Sequence, residues 1–104
     1  VSSYAKVDVH ILYKMCNNYI EYYDKLRIDL LNSRLDEDKK QELRYKIMDL
    51  GGVDIKEIYN VIHLCYFVLN NNKMGPLVEN ITISDNIARI LNDFQQEIDR
   101  KEIV

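Results

Sequence analysis

Residues 55–69 read IKEIYNVIHLCYFVL, and from Ile58 onward only Asn60 and His63 interrupt the apolar run. At 3.6 residues per turn, such a segment is apolar on nearly every side of a helix. A helix of that kind belongs inside a protein, surrounded by other elements. The expectation is a central helix enclosed by neighbours, so the rest of the chain must supply the apolar faces that cover it.

Those faces are legible. Ala5, Val9, Leu12, Cys16, Tyr19, Tyr23, Leu26 and Leu30 recur at alternating spacings of four and three, a heptad seam along one long helix. Tyr4, Ile11, Met15 and Tyr22 form a second stripe beside it, wide enough to touch two neighbours. Ser2 or Ser3 is suited to cap its start.

Asp36-Glu37-Asp38 opens a second helix, because carboxylates oppose the partial positive charge of a helix N-terminus. Its apolar face is Leu43, Ile47, Met48 and Leu50, and Gly51-Gly52 stops it. Asp54 and Glu57 read as a capping pair before the apolar helix, which runs to about Leu69. Met74-Gly75-Pro76 makes a turn, and Leu77-Val78 is expected to tuck into the core as a single helical turn. The last helix, capped by Thr82 or Ser84, buries Ile87, Ile90, Leu91, Phe94 and Ile98. Val78 to Ile83 is the one short stretch with period-two alternation.

The fold expected is therefore all-α: a compact antiparallel four-helix bundle with a long first helix and a central hydrophobic third helix. At 104 residues with 47% hydrophobic content, residues 1–104 are read as a single domain. The first residue is Val, which points to a fragment or a trimmed product. No apolar run is long enough to span a bilayer. The net charge of -3, with Lys and Arg interleaved among Asp and Glu, gives a polyanion no footing, so nucleic acid is not expected as a partner. Two cysteines in a chain able to form a core read as reduced, buried thiols and hence as an intracellular protein, cytoplasmic or nuclear. Eight Tyr, no Trp, two Ala and abundant Ile, Asn and Lys follow A/T-rich codons and point to an A/T-rich genome.

No catalytic constellation is visible. His63 and Cys65 are two positions apart, so on one helix their side chains diverge by roughly 200°. No His, Cys or carboxylate pairs recur at metal-ligand spacing, and no glycine loop is built for a phosphate. The chain is expected to be no enzyme and to need no metal or cofactor.

Tyrosine is the one enrichment that points outward. Tyr13 falls off both stripes of the first helix and Tyr22 lies at the edge of one. Tyrosine is favoured at protein interfaces for its large area and low entropy cost. Tyr13, Tyr22 and His63 are accordingly the candidate partner-binding residues, His63 marking a groove on the third helix. The function expected is a non-enzymatic helical protein–protein interaction domain, self-association included. The alternative is a small viral or bacterial effector or inhibitor.

Two family resemblances rest on short motifs. Ile62-His63-Leu64-Cys65 resembles the central helix of the poxvirus Bcl-2-like proteins, with His63 where that family usually has Gly. That resemblance implies a modulator of host apoptosis or inflammatory signalling. Asp49-Leu50, Val53-Asp54-Ile55 and Lys73-Met74-Gly75 with Val78 look similar to the helical N-terminal domain of transcription elongation factor S-II, without its signature Trp. That resemblance implies binding of disordered peptide motifs.

Overall fold

The computed structural model describes residues 4–32, 34–51 and 55–102. The order of elements is β1 (Tyr4–Asp8), α1 (Val9–Leu30), α2 (Glu37–Gly51), α3 (Ile55–Asn71), β2 (Asn80–Ser84) and α4 (Asp85–Glu102). The protein is mostly helical, and α1 is the longest helix.

The first departure from an all-α fold is the two-stranded antiparallel sheet. β1 and β2 run in register from Tyr4 opposite Ser84 to Asp8 opposite Asn80. Ile81 and Ile83 are buried while Asn80 and Thr82 are exposed, the two-residue period of a sheet with one wet face. Their cross-strand partners Val7 and Ala5 pack against the core from the same face. Ala5 therefore belongs to a strand and not to the seam of α1.

Asp8 ends the strand and starts the helix. Its Oδ1 accepts from the amides of His10 at 2.9 Å and Ile11 at 3.1 Å, partnering two of the donors a helix N-terminus leaves open. The Val9 amide donates to the Glu79 carbonyl at 2.9 Å, which ties the start of α1 to the approach of β2. Ser2 and Ser3, expected as caps, lie outside the described residues. Asp36 caps α2 through the Lys39 amide at 2.8 Å, and Ser84 caps α4 through the Ile87 amide at 3.3 Å. The expected glycine stop at Gly51-Gly52 and the capping pair at Asp54 involve residues 52–54, outside those described.

The second departure concerns which helix is enclosed. α1 packs against α2, α3 and α4, and it buries Val9, Leu12, Met15, Cys16, Tyr19 and Leu26. In α3 only Ile58 and Cys65 are fully buried. Leu64, Tyr66 and Phe67 are exposed. The physical reason is the number of neighbours. An apolar sequence favours burial on every side, but the remaining elements cover only one side of α3.

Core packing centres on α1 and α4. The Tyr19 and Phe94 rings meet edge to face at 5.0 Å and 73°, and Tyr22 leans on the same ring at 5.5 Å. Ile87 and Leu91 complete the buried stripe of α4, with Ile90 and Ile98 at its margin. Each such aliphatic side chain, fully buried, contributes about 1.5–3 kcal/mol.

The expected compactness is not found. The radius of gyration is 16.0 Å and the long axis 53 Å, against about 13 Å for the radius of gyration of a compact domain of this length. α2 has no fully buried side chain among its described positions, and its predicted face residue Met48 is exposed. Leu77 and Val78 are exposed too and do not enter the core.

Candidate functional site

Among the described residues, the outward side of α3 presents exposed apolar side chains without formal charge. Ile58 and Cys65 point inward, seven residues apart on one stripe. Phe67 follows Cys65 by two positions, which turns it about 200° away and into solvent. Asn60, His63 and Asn71 stand on the same outward side, with Leu64 beside them, and all are exposed. Phe67 is 63% exposed. From Ile58 to Asn72 the chain carries no Asp, Glu, Lys or Arg, so this wet helix side has no formal charge over four turns. Surface helices ordinarily place charges there.

The turn after α3 is also exposed. The Met74 amide donates to the Asn71 carbonyl at 3.0 Å, so the chain curls for one more turn before it leaves the helix. Met74 is 93% exposed, and Leu77 and Val78 are exposed beyond it. Two hydrogen bonds between the Asn72 side chain and the Val78 backbone, one donated each way, hold the loop back against the helix end. A shallow groove of about 260 Å³ runs between α3 and β2, lined by Asn60, Val61 and Leu64 on one bank and Thr82 and Ile83 on the other.

The three residues singled out in the sequence do not converge. Tyr13 is half-buried and packs at the edge of the core. Tyr22 is half-buried against Phe94. Nine positions separate them, half a turn in angle, so they occupy opposite sides of α1. His63 is exposed on α3, next to the groove's Leu64 but not among its lining residues. Sequence reasoning misses Phe67 and Met74. The uncharged run from Ile58 to Asn72 marks the segment, but it does not separate Phe67 from the buried Cys65, and Met74 lies beyond it after Lys73.

The two thiols lie away from solvent. Cys16 and Cys65 are free, and both are fully buried. Burial pushes Cys65 up to about 11. Burial also pushes Cys16 up to about 12, and a thiolate formed at Cys65 adds to that rise. A thiol held protonated in the core is a packing group at neutral pH. His63 stands in solvent while Cys16 lies in the core, so the two do not form a base–nucleophile pair.

Among the described residues no three His, Cys, Asp or Glu side chains are grouped to hold a metal ion, and no described helix is long and apolar enough to cross a membrane. No protein-family model matches the chain, and no match emerges among curated proteins or solved structures.

Proposed function

We propose that this chain is a non-enzymatic protein-interaction domain whose four helices form an antiparallel bundle around α1, and that a protein partner docks on the outward side of α3. The observation that carries this reading is the uncharged, solvent-facing helix side from Asn60 to Asn71 with Phe67 at its centre; Met74 and Leu77 are exposed in the turn that follows. The cores of protein interfaces are depleted in charge and enriched in aromatic residues and Met. An exposed apolar surface of this kind is costly to keep in water unless something covers it. Asn60, His63 and Asn71 keep the free surface hydrated and offer hydrogen bonds to a partner. The two reduced core thiols support a reducing, intracellular setting.

The test is comparative capture from the cells that make the protein. Tagged wild-type chain and the variant Phe67→Asp are used as bait, with matched melting temperatures as the folding control. The reading requires a protein retained by wild type and lost by the variant. Identical captured sets from both baits contradict it.

A further inference from the structure

The C-terminal end of α1 carries an apolar cleft with two opposite charges on its rim. Asp24, Arg27, Ile28 and Leu31 stand at i, i+3, i+4 and i+7, one side of the last turns of the helix. With Leu30 and with Ile47 of α2 they line a cleft of about 480 Å³. Ile28 is 68% and Leu31 84% exposed. Among the described residues neither Asp24 nor Arg27 enters an ion pair. The Arg27 guanidinium rests 5.7 Å from the Tyr23 ring centre. α2 forms the other wall through Ile47, and no described side chain of α2 is fully buried.

We propose that a second copy of this chain occupies this cleft, docked across a two-fold axis. Charge complementarity decides the occupant. In a two-fold dimer the same patch faces itself, so a patch of one sign repels its copy. A patch with one acid and one base on the same stripe pairs with its copy twice. When two α1 helices lie antiparallel with the axis level with Lys25 and Leu26, position 24 faces position 27. Asp24 of each protomer then meets Arg27 of the other. The same register sets Leu31 opposite Ile20, which stands on the same stripe at spacings of 4, 3 and 4 through Asp24 and Arg27. Ile20 is half-buried at the margin of the core, so Leu31 extends the cover of that margin. The contact seals the loosely packed α1–α2 end of an elongated chain. It uses none of the residues of the outward side of α3, so partner capture and self-association succeed or fail independently.

Sedimentation equilibrium over a wide concentration range tests the proposal with five chains: wild type, Asp24→Arg, Arg27→Asp, the double swap of both, and Leu31→Asp. Leu31 is almost fully exposed, so its substitution leaves the protomer folded, and circular dichroism checks each chain. Wild type is expected to dimerise. Each single reversal places like charges face to face and weakens the dimer about tenfold or more. The double swap restores it, because positions 24 and 27 again carry opposite charges across the axis, and Leu31→Asp abolishes it. A wild type that stays monomeric throughout overturns the proposal. So does a dimer indifferent to the single reversals, or a double swap no tighter than either one.

Discussion

The Asn72 side chain is bonded twice to the backbone of Val78: its Nδ2 donates to the Val78 carbonyl at 2.9 Å, and its Oδ1 accepts from the Val78 amide at 2.9 Å. The amide thereby imitates one rung of a sheet ladder. It holds the loop that carries Met74 and Leu77 against the end of α3, and it delivers Glu79 to its bond with Val9.

Breaking this clamp should be measurable. Both bonds are solvent-exposed, so each is worth only its net value. We predict that Asn72→Ala lowers stability by about 1–2 kcal/mol and the melting temperature by several degrees. Asn72→Asp keeps the acceptor but sets a carboxylate oxygen against the Val78 carbonyl at the C-terminal end of α3, and should lose at least as much as Asn72→Ala. Thermal unfolding followed by circular dichroism gives the order.

The two phenylalanines offer a sharper contrast. Phe94 is buried and meets Tyr19 and Tyr22. Phe67 is exposed. Phe94→Ala should cost about 3–5 kcal/mol, enough to unfold much of a marginally stable domain. Phe67→Ala should stay within about 0.5 kcal/mol of wild type. Urea titration of both variants separates them, and similar losses at the two positions would contradict the assignment of inside and outside.

That contrast also shows how far the sequence can be read. Of the seam, Val9, Leu12, Cys16, Tyr19 and Leu26 are buried and Tyr23 and Leu30 half-buried; of the last stripe, Ile87, Leu91 and Phe94 are buried and Ile90 and Ile98 half-buried. Periodicity reports which side of a helix is most apolar, and in α1 and α4 that side is well marked, although α1 also carries exposed Ile11 and Ile28. In α3 the apolar residues surround the helix, so the pattern is silent about which side finds a neighbour. Phe67 and Cys65 look alike in sequence and differ only through the elements packed nearby. β1 is hidden for another reason. Ala5 continues the spacing of the seam by coincidence, while its strand partner Ile83 lies far along the chain. The alternation at Ile81 and Ile83 is visible, but a strand cannot be placed before its partner is known. The α1–α2 cleft depends on how α2 sits against the end of α1, which no local pattern encodes.

The core thiols set a pH dependence whose sign follows from proton binding. In the unfolded chain both ionise near 9.0, while in the native protein they hold their protons up to about 12 and about 11. Above about pH 9 the unfolded state binds fewer protons than the native state, so stability falls as pH rises. The contribution is fully present below about pH 9 and is lost as pH climbs toward the folded values. Lys and Tyr titrate in the same range, so the comparison is with Cys16→Ala/Cys65→Ala. Between about pH 8 and about pH 10 the urea midpoint should fall more steeply for wild type than for the double variant. Equal slopes would place the thiols in contact with solvent.

The proposed docking of another protein on the outward side of α3 can be tested at Phe67 itself. The most direct measurement places a photo-activated cross-linking amino acid at position 67, with a matched chain carrying it at exposed Gln96 on α4. Both are irradiated in the cells that make the protein. A discrete heavier adduct formed from position 67 and absent from position 96 is the expected result. No adduct at position 67, or the same adducts from both positions, would contradict the account.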